Sequence, residues 1–120
     1  MVQITGIDHV VLHVSDLERS KKFYMSVLGM TVEHEFPGHS FLHCGRQAIA
    51  LFEVKDGEGF LPGHDMDHMA FQTDQGTYES IKAELKRKGV AVSGREGEAH
   101  CIYFDDPDGH RLQISLPKVS

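Results

Sequence analysis

The chain has no tryptophan and only two cysteines, and its 12 Lys and Arg residues are outnumbered by 18 Asp and Glu, for a formal charge of -6. Cys44 and Cys101 are too few and too irregularly placed for a secreted disulfide framework or a cysteine zinc site, and they suit a reducing cytoplasm. The acidic balance argues against nucleic acid as a partner. The one dense basic cluster, Lys86-Arg87-Lys88, falls where a helix is expected to end, and cations there complement the helix dipole. No segment approaches the roughly 20 apolar residues that a membrane helix needs, and no charged stretch followed by an apolar run opens the chain. The expectation is a soluble, unanchored cytoplasmic protein. At 120 residues and 40% hydrophobic, it should form one domain, 1–120, with a real core.

What the sequence does have is an internal repeat. Asp8-His9-Val10-Val11-Leu12-His13-Val14 and Asp67-His68-Met69-Ala70-Phe71-Gln72 each open a strand-like run that is followed by a helix-like one. Ser15-Asp16-Leu17-Glu18 reads as a capping box with Ser15 as the cap. Leu17, Phe23, Tyr24, Val27 and Leu28 then follow with helical spacing, up to Gly29. In the second copy Tyr78, Ile81 and Leu85 form the stripe, Gly89 closes the helix and Val90-Ala91-Val92 restarts a strand. The two histidines and the two helix-ending glycines recur at nearly constant offset. Ser40 to Cys44 with Ala48 to Val54, and Ala99 to Phe104 with Arg111 to Leu116, look like hairpins, the second closed by Asp105-Asp106-Pro107-Asp108-Gly109. Each half is thus expected as strand, helix and three strands: module one about 4–56, a linker about 57–65, and module two about 66–117.

Each histidine begins an apolar alternation, so each should point to the same face of its sheet, and paired imidazoles facing one cavity suit a divalent metal. Alternation places Val11 and His13 with His9, Ala70 and Gln72 with His68, and Arg111 and Ser115 with Gln113; Cys101 and Tyr103 should line the neighbouring strand. Val10, Leu12, Val14, Met69, Phe71, Leu112 and Ile114 should face the helices as core. The constant offset pairs Gln113 with Glu53. Arg95 and Arg111 are candidate anion binders.

The two modules, with a histidine opening the first strand of each, and the closing Asp106-Pro107-Asp108-Gly109-His110-Arg111-Leu112 resemble the vicinal oxygen chelate superfamily of glyoxalases, bleomycin resistance proteins and dioxygenases. The stretch from Gly94 through Phe104 and the turn beyond it is most similar to the fosfomycin-resistance branch. The resemblance implies an α+β fold in which two βαβββ modules pair into an open, curved mixed sheet around a cup-shaped cavity, and a homodimer. It implies metal ligands at His9, His68 and Gln113, where the family carries a glutamate, with Glu53 as a further ligand or as a catalytic base. His13, Tyr103, Arg111, Cys101 and Arg95 would bind substrate. The ion would be Ni, Mn, Zn or Fe, and the activity that of a metal-dependent lyase, isomerase or oxygenase acting on a small molecule. The alternative is a metal-free protein that binds a small or drug-like molecule.

Overall fold

The computed structural model describes residues 1–55, 63–94 and 100–116. The chain divides into two compact units, Met1–Pro62 and Gly63–Ser120. The expected linker falls largely outside the described residues, as does Arg95.

In the first unit, β1 (His9–Val14) leads into α1 (Leu17–Ser26), and β2 (Thr31–Phe36), β3 (His39–Cys44) and β4 (Gln47–Glu53) follow. The sheet order is β1-β4-β3-β2, with β1 parallel to β4 and β3 antiparallel to both of its neighbours. The alternation of β1 sends Leu12 and Val14 inward, and they are buried with Ile49, Leu51, Leu42 and, from α1, Leu17 and Tyr24. This covered face is the core. α1 starts one residue later than the expected cap: Asp16, not Ser15, accepts from the Arg19 amide at 3.0 Å, while the Ser15 hydroxyl accepts from the Arg19 guanidinium. Aspartate also places a negative charge at the positive end of the helix.

The second unit runs β5 (Met69–Gln72), α2 (Tyr78–Arg87), β6 (Cys101–Asp105) and β7 (Arg111–Ser115). Its sheet has the order β5-β7-β6, with β5 parallel and β6 antiparallel to β7. Ile102, Phe104, Leu112 and Ile114 are buried with Leu85 of α2. Thr77 caps α2 through a reciprocal pair with Ser80. Gly29 and Gly89 follow the two helices with φ of 72° and 80°, so both ends turn through the left-handed region that glycine enters at no steric cost. After Gly89, Val90 donates its amide to the Leu85 carbonyl at 2.9 Å and closes α2. The strand expected over Val90–Val92 is not formed; a single bridge between Ser93 and Tyr103 stands just beyond it. The fold class is α+β, built on two small mixed sheets.

Candidate functional site

His9 opens β1, and His68 stands one residue before β5. The same local device holds each ring: His9 Nδ1 lies 2.7 Å from Asp8 Oδ2, and His68 Nδ1 lies 2.6 Å from Asp67 Oδ1. A carboxylate that accepts from Nδ1–H leaves the lone pair of a neutral imidazole on Nε2, the arrangement that prepares a histidine to bind a metal. Both rings are partly open, with 39% and 46% of the side chain exposed. The aspartate that precedes each histidine is thus a functional candidate, displayed in the sequence by the repeat itself.

The second unit brings several expected residues together. A cleft of about 370 Å³ is lined by Asp67, His68, Ser93, Gly94, Tyr103 and Arg111. The Arg111 guanidinium lies over the Tyr103 ring at 5.3 Å, donates to the Ser93 hydroxyl at 3.0 Å and approaches Asp105 at 3.6 Å. A guanidinium over an aromatic face, with five N–H donors, can still meet an anionic group at the edge of the cleft. Tyr103 pairs with Gln113 across the β6–β7 ladder, and Ala70 pairs with Gln113 on the other side, so the three share one face. Gln113 is 9% exposed; its amide nitrogen donates to Cys101 Sγ and to the Ser115 hydroxyl, both at 3.1 Å. Those two bonds fix the amide and leave its oxygen as the group able to act as a ligand.

The first unit corrects one expectation. Val11 pairs with Ala50, just as Ala70 pairs with Gln113, so the counterpart of Gln113 in the first sheet is Ala50 and not Glu53. The second module has a longer segment between its helix and its last strand, and the constant offset therefore fails at that strand. Glu53 pairs with Val14, on the face that carries α1, and its Oε2 accepts from the Leu17 amide at 2.8 Å. Its carboxylate meets the first amide of α1, a donor that has no partner within the helix. His13 stays on the His9 face by register. His9 itself lines a cleft of about 500 Å³ with Asp8, Glu33, His34, Phe41 and His43 among its walls.

Two arrangements were not anticipated. His110 is fully buried, with Nδ1 2.7 Å from Asp106 Oδ2 and Nε2 2.6 Å from Asp65 Oδ1. Asp106 Oδ1 also accepts from the amides of Asp108 and His110. The Asp-Pro-Asp-Gly-His segment is turn chemistry in the sequence, and nothing in its spacing points to Asp65. The second is a row of rings on the His9 face, for which the alternation His39-Phe41-His43 was an available signal. Burial pushes the Cys44 thiol up, away from its reactive thiolate form. Among the described residues, no three His, Cys, Asp or Glu side chains gather as a ready metal site. In each unit the imidazole suits a nitrogen-preferring ion such as Zn, Ni or Fe better than a hard oxygen-seeking one. Among the described residues, no helix is long and apolar enough to cross a membrane.

The comparisons agree with this reading of the fold. The chain is 29% identical over 120 residues to the glutathione transferase FosA of Serratia marcescens, covering 98% of this chain and 84% of that protein. It is 30% identical over 117 residues to the metallothiol transferase FosB of Staphylococcus epidermidis, covering 94% and 82%. Both of these relatives are transferases by name, a different class from the expected lyase, isomerase or oxygenase. Among solved structures, an integron cassette protein from the mobile metagenome of V. cholerae superposes with a TM-score of 0.75 at 27% identity, covering 98% of this chain and 99% of that one. Residues 6–114 match the model of the Glyoxalase/Bleomycin resistance protein/Dioxygenase superfamily, and the chain belongs to that superfamily.

Proposed function

We propose that the protein is a metal-dependent transferase that joins a thiol to a small oxygen-bearing electrophile. The observation that carries the reading is the duplicated Asp–His pair, one at the head of each first strand, with Nδ1 held by the preceding carboxylate in both. His9, His68 and Gln113 are the ligand set in this proposal, and Glu53 is not part of it. When bound, a divalent ion would supply Lewis-acid stabilisation to charge developing on a substrate oxygen.

The remaining chemistry falls to the chain's own side chains. Arg111, held on Tyr103 and steadied by Ser93, binds an anionic group of the electrophile and fixes its orientation. Tyr103 supplies an apolar wall on one side and a hydroxyl on the other. In the transfer, sulfur forms a bond to carbon while a carbon–oxygen bond breaks, and the proton lost by the thiol ends on the released oxygen. His13 and Cys101 are further substrate contacts in this proposal, and Arg95 is a further anion binder. The working form in the proposal is a cytoplasmic homodimer.

The test is loss of free thiol when glutathione is incubated with fosfomycin and with other small electrophiles, with and without added Zn, Ni, Mn or Fe. Metal-dependent thiol loss that disappears in His68→Ala and Arg111→Ala supports the reading. Equal thiol loss in parent and His68→Ala, or none with any ion, contradicts it. The fixed, uncharged amide of Gln113 favours a second reading, a metal-free protein that binds a small molecule. That reading gains if the parent stays metal-free while Gln113→Glu takes up an ion.

A further inference from the structure

His110 is a buried titratable group that the proposed chemistry leaves idle. Its ring is 0% exposed and bridges two carboxylates, Asp106 Oδ2 at 2.7 Å from Nδ1 and Asp65 Oδ1 at 2.6 Å from Nε2. The two partners are held differently. Asp106 belongs to the same turn as the ring: its Oδ1 accepts from the Asp108 and His110 amides at 3.0 and 2.8 Å, and its own amide donates to the His110 carbonyl. Asp65 comes from the leader of β5, and its bond to the ring ties that leader to the turn. The two segments run close together, since a Cβ on Gly63 would stand 2.0 Å from the Asp108 carbonyl oxygen.

Both ends of this brace lead into the cleft of about 370 Å³. Asp65 runs through Met66 to Asp67 and His68, and His110 is followed by Arg111; Asp67, His68 and Arg111 line that cleft. The β5–β7 ladder starts at Met69, opposite Leu112, so Asp67 and His68 stand outside it. Their placement depends on what holds the chain just before them, and there the Asp65–His110 bond joins the leader to the residue that precedes Arg111. A buried ion pair is a poor source of stability, because desolvation offsets much of its attraction. What it supplies here is geometry.

We infer that His110 is a positioning residue for this cleft, a proton-dependent crosslink that sets where Asp67 and His68 stand against β7. Only the doubly protonated ring donates to both carboxylates. When one proton leaves, Asp106 keeps its bond because the turn holds it against Nδ1, and the bare Nε2 lone pair then faces the Asp65 carboxylate and repels it. The Asp65 end is therefore the end that releases. The charges acting on the ring are Asp106 and Asp65; burial opposes its charged form, but the two carboxylates outweigh it and raise the pKa above 6.5. The brace itself needs no ion, and only its effect on ion affinity rests on the reading of His68 and Gln113 as ligands.

The test is ring and backbone amide NMR of the full chain, stripped of metal, from about pH 6 to well above the ordinary histidine range, followed by titration with Ni. In the parent, His110 should keep two ring N–H groups after exposed histidines have become neutral, and the amides of Asp67, His68 and Met69 should shift with its midpoint. In Asp65→Ala those amides should stand at their released positions at every pH, and Ni affinity should fall about tenfold. Asp65→Asn should restore the parent's low-pH positions and hold them without pH dependence, because an amide accepts from the charged ring and donates to the neutral one. Gly89→Ala, which strains the end of α2 at a φ of 80°, is the control: it should lower thermal stability and leave both the leader amides and Ni affinity as they were. Leader amides that ignore the His110 titration overturn the inference, as does an effect of Gly89→Ala equal to that of Asp65→Ala. If Asp65→Ala fails to fold, the parent titration and Asp65→Asn still decide. A parent that takes up no Ni while its leader amides follow His110 would sink the metal reading alone.

Discussion

The imidazole of His110 and the carboxylate of Asp106 are joined at 2.7 Å with both side chains wholly buried, and Asp65 closes on the other nitrogen of the same ring at 2.6 Å. Only the doubly protonated ring can donate to both carboxylates at once. Burial opposes the charged form, but the hydrogen bonds and charges of Asp106 and Asp65 outweigh it, and the His110 pKa is raised above its ordinary value of 6.5. A group that binds its proton more tightly when folded stabilises the fold fully below the unfolded pKa, and that stability is lost as pH rises through the folded one. Denaturant unfolding of the parent should therefore show stability falling as pH is raised from about 6.5 into the alkaline range. Asp65→Asn should flatten that slope; a parent whose stability is constant or rises across the same range would contradict the clamp.

Gly63 adds a steric check on the same corner. A Cβ there would stand 2.0 Å from the Asp108 carbonyl oxygen, and its φ of 83° disfavours any other residue. Gly63→Ala should cost on the order of 1–3 kcal/mol, read by thermal unfolding. Gly29→Ala is the comparison, because its φ is also positive but nothing lies within 4 Å of its Cβ. A cost at Gly63 no larger than that at Gly29 would show that the segment before His68 does not sit against the β6–β7 turn.

Glu53 was expected beside the histidines and instead serves α1. Glu53→Ala should lower stability by about 1 kcal/mol, the usual scale for losing a capping acceptor at a helix N-terminus, while leaving the affinity for a divalent ion unchanged. A large loss of ion affinity with stability unaltered would return Glu53 to the metal site.

Much of the molecule was legible because its periodicities are local. Leu12 and Val14 alternate with His9, Val11 and His13, and two glycines at nearly constant offset mark both helix ends. The turn Asp106 to Gly109 announces itself through proline and glycine chemistry. What escaped depended on register between distant strands. Glu53 was misplaced because a repeat offset measured on histidines and glycines does not survive a change of hairpin length, and a short slip moves a side chain to the other face of the sheet. The Asp65–His110 contact spans 45 positions, and no spacing rule connects them. The ring array was half visible: His39, Phe41 and His43 alternate within one strand, but only the pairing of β3 with β2 and β4 shows that Phe36 and Phe52 enclose His39. Val90–Val92 has the composition of a strand, but only Ser93 beyond it bridges to Tyr103.

The paired aspartates give a prediction of their own. Asp8→Asn and Asp67→Asn keep the size of the partner but weaken its pull on Nδ1–H, and each should reduce affinity for a divalent ion by about 10–100-fold, measured by isothermal titration. If only one of the two variants has an effect, the two units do not contribute equivalent ligands.

In the proposed function both imidazoles and Gln113 serve one ion, and direct titration of protein purified without a chelating tag tests that proposal. Zn, Ni, Mn and Fe are added in turn to the parent, to His9→Ala, to His68→Ala and to Gln113→Glu. The account predicts one site per chain in the parent, lost in both alanine variants and tightened in Gln113→Glu, where a carboxylate replaces the neutral amide. A parent that binds no ion, or one whose binding survives loss of either histidine, would contradict it.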